Sequence, residues 1–104
     1  MTWDELVIDH SALAAVCRRR GVRQLEAFGS FATGNAHSDS DIDLLVTFDP
    51  GHGVGLEFVA LQQELATLLD RRVDLLTRDS LGASPNKYLR RFALSKTVPI
   101  HVSS

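Results

Sequence analysis

Two aspartates separated by one isoleucine, Asp41-Ile42-Asp43, open an alternating apolar run and are the residues of this chain best suited to chemistry. On an extended strand residues i and i+2 project to the same face, so the two carboxylates stand side by side. Without a cation they repel, and one pKa rises, a cost that a divalent ion removes. Carboxylate oxygens are the ligands Mg²⁺ selects, and Mg²⁺ commonly completes its shell with substrate phosphate oxygens. A third acid, Asp74, lies within Val73-Asp74-Leu75-Leu76, where an unpartnered charge is expensive to bury. If its strand runs beside that of Asp41 and Asp43, the three carboxylates form a cluster able to hold two ions about 3.5–4 Å apart, the arrangement used for in-line phosphoryl transfer. Upstream, Gly29 lets the backbone approach a phosphate closely, and the Ser30 hydroxyl with neighbouring N–H groups can donate to the β- and γ-phosphate oxygens of a nucleoside triphosphate such as ATP. The reading therefore assigns Asp41, Asp43 and Asp74 to metal and catalysis and Gly29 and Ser30 to the nucleotide.

Alternating helical and strand signals must position these groups. Asp9 and Ser11 can each cap a helix over residues 11–20, in which Leu13, Val16 and Cys17 recur at helical spacing before Gly21 stops it. A strand over 22–28 places Leu25 and Ala27 on one face. A second strand, 41–48, sends Ile42, Leu44, Val46 and Phe48 to one face and Asp41, Asp43, Leu45 and Thr47 to the other. After the turn formers Asp49-Pro50-Gly51-His52-Gly53 comes a helix ending near Asp70, with Phe58, Leu61, Leu65 and Leu68 on one side. A third strand covers 72–77. Ser84-Pro85 starts a further helix with Leu89, Phe92 and Ala93 as its stripe, and Pro99 confines a last strand, 98–102, to a sheet edge. Residues 33–40 read as a mobile loop. The expected class is α+β: a small mixed sheet flanked by helices, in one domain over residues 1–104.

Composition narrows the rest. Eleven basic against thirteen acidic residues give a net charge of -2 and no overall field to attract nucleic acid, so direct DNA binding is not expected. Cys17 is the only cysteine, the start lacks signal-peptide character, and no apolar run approaches a membrane span; the expectation is a cytoplasmic protein with no membrane association. Other motifs fail on spacing. Asp39 to Asp43 imitates an EF-hand loop but has Leu44 at its sixth position and Pro50 at its twelfth. Gly51-His52-Gly53-Val54-Gly55 imitates a dinucleotide fingerprint but has Leu56 where glycine is required. His37 and His52 read as solvated loop residues, the arginine pairs as solvated helix ends with Arg90 and Arg91 able to line a partner surface, and Cys17 as core. The ordinary alternative for Asp41 and Asp43 is a solvated strand face, and for Asp74 a pair with Arg72; Gly-Ser and the third acid together weigh against it.

The segment Gly29-Ser30-Phe31-Ala32-Thr33-Gly34, then Ser40-Asp41-Ile42-Asp43-Leu44-Leu45-Val46, then Val73-Asp74-Leu75, resembles the minimal nucleotidyltransferases of the DNA polymerase β superfamily. The resemblance spans residues 28–77. It implies the nucleotidyltransferase fold, Gly29 and Ser30 at the triphosphate, and Asp41, Asp43 and Asp74 at two Mg²⁺ ions. One position departs: the usual motif carries arginine where Thr33 stands, and threonine has neither its charge nor its fork geometry. Small members of this family resemble the antitoxin half of a gene pair whose other product is a HEPN-domain ribonuclease, which implies transfer of AMP from ATP to a tyrosine hydroxyl of that partner. The rival expectation is an antitoxin that keeps the fold and neutralises its partner by binding alone; transfer to an antibiotic hydroxyl would require a substrate-binding extension for which 104 residues leave little material.

Overall fold

A computed structural model of the chain describes residues 3–37, 39–53, 55–77 and 97–102. A short 3-10 turn, Trp3–Glu5, precedes helix α1, His10–Arg19. Of the two caps the sequence offers, Asp9 is used: its carboxylate accepts the Ala12 N–H at 3.0 Å, satisfying one of the orphan donors of the first turn. Strand β1 is Val22–Phe28, helix α2 is the single turn Ser30–Thr33, and strand β2 is Ile42–Phe48. Helix α3, Leu56–Leu69, leads through a two-residue connection after Asp70 into strand β3, Val73–Thr77, and strand β4 is Val98–Val102. The helix expected after Ser84-Pro85, with Leu89, Phe92 and Ala93, and the arginines Arg90 and Arg91 lie outside the described residues.

The four strands form one mixed sheet in the order β3-β2-β1-β4. β2 runs antiparallel to β1 and parallel to β3, and β4 runs antiparallel to β1 at the far edge, where the missing N–H of Pro99 costs least. One face carries Leu25, Ala27, Ile42, Leu44, Val46, Val73 and Leu75, and these pack with Leu13, Val16 and Cys17 of α1 and Leu61, Leu65 and Leu69 of α3. Burial pushes the Cys17 thiol up to about 11, consistent with a core residue and not a nucleophile. Glu64 of α3 ties the helices together by receiving both Arg19 and Arg20 from the end of α1, the latter through Nε at 2.7 Å. No helix among the described residues is long and apolar enough to cross a membrane.

The opposite face is built differently. Phe28 and Leu45 are buried there with Leu76 packed against them, and the same face carries Asp43 and Asp74. This is the small α+β arrangement expected, a mixed four-stranded sheet with helices packed on it.

Candidate active site

The parallel ladder between β2 and β3 sets Asp43 directly beside Asp74, with Leu45 beside Leu76 two residues on. Across the antiparallel ladder, Phe28 faces Asp43, so the residue after it, Gly29, emerges from β1 next to that carboxylate. A Cβ on Gly29 would meet Asp43 Oδ2 at 2.5 Å, and the Gly29 backbone is left-handed at φ +68°. Both facts demand glycine: the conformation disfavours any L side chain, and the space a side chain would take is filled by the acid.

Asp41 does not enter the strand as the sequence pattern suggests. The ladder begins one residue later, where Ile42 N–H donates to Arg72 C=O at 2.9 Å, and Asp41 lies just outside it, exposed. Asp43 is half-buried and Asp74 is exposed. Burial first, then the negative charges of Asp74 and Asp41, push the Asp43 carboxyl up to about 6. The three acids thus act on one another electrostatically, although among the described residues no three acidic, histidine or cysteine side chains already stand close enough to enclose an ion. The chemistry of the donor set suits a divalent cation: a carboxylate pushed toward its neutral form by burial and by two like charges is relieved by a positive charge, and an all-carboxylate donor set is that of a hard cation such as Mg²⁺.

Ser30 heads the turn of α2. Its carbonyl accepts from the N–H groups of Gly34, Asn35 and Ala36, and the Gly29 carbonyl accepts from Ala32 and Thr33, which winds the Gly29–Gly34 segment tightly. No side chain caps the start of this turn. Residue 33 therefore ends a helical turn and does not open the loop expected there. The Thr33 hydroxyl lies 3.3 Å from Gly29 C=O and 3.4 Å from Ser30 C=O, positions from which it donates back into its own turn.

Three residues acquire places that sequence reasoning did not give them. Ser40, left unassigned, closes a turn just before Asp41: its Oγ accepts the His37 N–H and its N–H donates to His37 C=O, both at 2.9 Å. Arg71, read as a solvated helix end, is half-buried with its guanidinium over the Phe31 ring at 5.5 Å. Glu26 is a buried acid, 3% exposed, that accepts a hydrogen bond from Thr97 Oγ1 at 2.6 Å. Alternation gave no signal for Glu26, since a polar residue at that position in a strand normally faces water. His52, at the other end of β2, is exposed and engages Glu57 at 3.1 Å, and His37 is exposed as expected.

The nucleotidyltransferase domain family matches residues 11–100. The protein adenylyltransferase MntA of Thermococcus cleftensis is 41% identical over 73 residues, which is 70% of this chain and 73% of that protein. A proposed minimal nucleotidyltransferase of known structure superimposes with a TM-score of 0.67 at 37% identity, covering 86% of this chain and 87% of its own. A structure of tri-AMPylated Shewanella oneidensis HEPN toxin in complex with MNT antitoxin contains a chain that shares the fold, with a TM-score of 0.54 at 21% identity over 90% of this chain and 70% of that one. With residues 11–100 matched and the Asp43–Asp74 ladder set beside Gly29, this chain belongs to the nucleotidyltransferase domain family.

Proposed function

We propose that this nucleotidyltransferase moves AMP from ATP onto a tyrosine hydroxyl of a HEPN-type toxin and so acts as its antitoxin in the cytoplasm. The observation that carries the reading is the in-register Asp43–Asp74 pair beside Gly29, with the charge of Asp41 felt at Asp43. The adenylyltransferase relative and the AMPylated toxin complex support the choice of nucleotide and partner. Asp41, Asp43 and Asp74 would hold the divalent ions, two Mg²⁺ by the chemistry of the donor set, which lower the pKa of the attacking hydroxyl and neutralise the departing pyrophosphate.

The chain's own groups do the rest. Gly29, whose missing side chain gives its space to the Asp43 carboxylate, would bring its backbone to the triphosphate beside that acid, and the Ser30 hydroxyl would donate to a phosphate oxygen. With Thr33 turned into its own backbone, no arginine of this motif adds charge at the phosphates. This favours one rival, an antitoxin that neutralises its partner by contact without transfer. In the transfer reading the acceptor hydroxyl is presented by the partner chain.

Asp43→Asn separates the two readings, because asparagine keeps the shape and removes the charge. The protein is mixed with ATP, Mg²⁺ and the HEPN-type product of the neighbouring gene, and the partner is weighed by intact mass spectrometry. The expected result is added AMP with the unmodified protein, none with Asp43→Asn, and partner binding by both. A partner of unchanged mass, inhibited equally by both forms, would establish the binding-only rival.

A further inference from the structure

Asp41 stands outside the sheet ladder, so ladder hydrogen bonds alone cannot fix it. The space beside it is a cavity of about 350 Å³ lined by Asp39, Ser40, Asp41, Asp70, Arg71 and Arg72. Yet the residues on either side of Asp41 are both held by the same two-residue connection. Ile42 N–H donates to the Arg72 carbonyl at 2.9 Å, and the Ser40 carbonyl accepts from Arg71 Nη1 at 3.3 Å. Nη1 also lies 3.5 Å from the His37 carbonyl, the other end of the small turn that Ser40 closes. The same guanidinium lies over Phe31, which follows Ser30 in α2 and is fully buried. Two residues further along the chain from Arg71, β3 begins and carries Asp74.

We propose that Arg71 is a positioning residue for nucleotidyl transfer: it staples the turn before Asp41 to the Gly29-Ser30 segment and to the start of β3, and so delivers Asp41 to Asp43 and Asp74. The contacts suit arginine in particular. A planar, delocalised cation can stack on a ring while its N–H fork reaches carbonyls in its own plane, and an ammonium group cannot do both. Each contact alone is weak, and the two carbonyl distances are at the long end for hydrogen bonds. Their effect is geometric: they remove freedom from a loop residue whose usefulness depends on where its carboxylate stands. In this structure the arginine comes from the α3–β3 connection and acts on the loop backbone, so it does not substitute at the phosphates for the arginine missing at position 33.

The inference rests on the reading of Asp41, Asp43 and Asp74 as metal ligands, and its test keeps the two apart. Arg71→Met retains the apolar stem without donors, Arg71→Lys retains charge without the fork, and Arg72→Met is the neighbouring control. Mn²⁺ binding is followed by electron paramagnetic resonance in the presence of a non-hydrolysable ATP analogue, and hydrogen exchange is followed on the peptide covering 37–42. Arg71→Met should weaken Mn²⁺ binding roughly tenfold, as loss of an orienting group behind a metal ligand does. It should also speed exchange at 37–42 while α3 and β3 stay protected, and lower kcat with little change in KM for ATP. Arg71→Lys should recover part of each effect, and Arg72→Met should behave as the unmodified protein. If Arg71→Met loses protection throughout the fold, Arg71→Lys decides by the same readouts. Mn²⁺ binding equal in the unmodified and Arg71→Met proteins overturns the role of Arg71 and leaves the metal reading intact. A raised KM with unchanged exchange at 37–42 also overturns it, making Arg71 a nucleotide ligand. An unmodified protein that binds no Mn²⁺ overturns the metal reading and this inference with it.

Discussion

Gly29 and Asp43 are packed so closely that position 29 has no room for a side chain. An alanine at position 29 would combine a left-handed backbone with a methyl group placed 2.5 Å from Asp43 Oδ2. Gly29→Ala should therefore cost about 1–3 kcal/mol in stability and displace the carboxylate, so that AMP transfer is lost. Thermal unfolding together with the mass assay checks this, and a variant with unchanged Tm and full transfer would remove the packing argument. At this scale the sequence was most informative where spacing is short. Asp43 belongs to an alternating apolar run and takes its place on that strand, although Asp41 falls just before it, and Gly29-Ser30 follows an apolar run that has to end in a turn. It was silent where a role depends on distant chain. Nothing local distinguishes Arg71 from Arg72, yet one guanidinium lies on Phe31 and the other side chain is exposed. Likewise Glu26 is buried beside Thr97, seventy-one residues away.

Between α3 and β3 the chain turns through Asp70, the single described non-glycine residue with positive φ, at φ 51° and ψ 43°. Its N–H caps the helix onto the Ala66 and Thr67 carbonyls, the place where glycine is ordinarily found. Asp70→Gly removes the Cβ penalty of the left-handed conformation, partly offset by the greater freedom of glycine when unfolded. A net gain of about 0.5–1 kcal/mol, or roughly 2–6 °C in Tm, is expected. Calorimetry checks it; an unchanged or lower Tm would mean that the aspartate side chain itself supports the turn. Most elements were legible because their apolar periods are long enough to count: β1 and β4 occupy the residues expected, and α1, β2, α3 and β3 differ only at their ends. The turn α2 was not, since four residues cannot display a helical period, and its winding comes from carbonyl contacts of Gly29 and Ser30 instead. The placement of β3 beside β2 could be posed from sequence only as a condition; the parallel ladder meets it, but Asp74 is exposed there and its neighbour is a like charge, so the cost of burying an unpartnered acid does not arise.

For the molecule as a whole, the acid cluster is a source of instability that function retains. The Asp43 carboxyl is at about 6 in the folded chain against an ordinary 3.8, so the folded state holds its proton more tightly than the unfolded state. Its stabilising contribution is complete below pH 4 and is lost as pH rises through 6. With chelator present, stability should fall across that window by on the order of 1 kcal/mol, solvent screening of a half-exposed group being allowed for. Asp43→Asn should lack this fall, and Mg²⁺ should reverse it in the unmodified protein; denaturant unfolding at pH 4, 5, 6 and 7 reads all three. Parallel profiles for the two proteins would show that burial and its acidic neighbours do not make Asp43 hold its proton. The strand order has a consequence of another kind, for the sequence of events as the chain leaves the ribosome. β1 must pair on both edges, with β2 after a connection of thirteen residues and with β4 only after the chain has run on to Val98. Closing the longer loop costs more entropy, so the β1–β2–β3 layer, with Gly29, Asp41, Asp43 and Asp74 already in it, forms first. Until residues 98–102 arrive, β1 offers an open edge to any neighbouring strand, and the nascent chain is most prone to mispair in that interval.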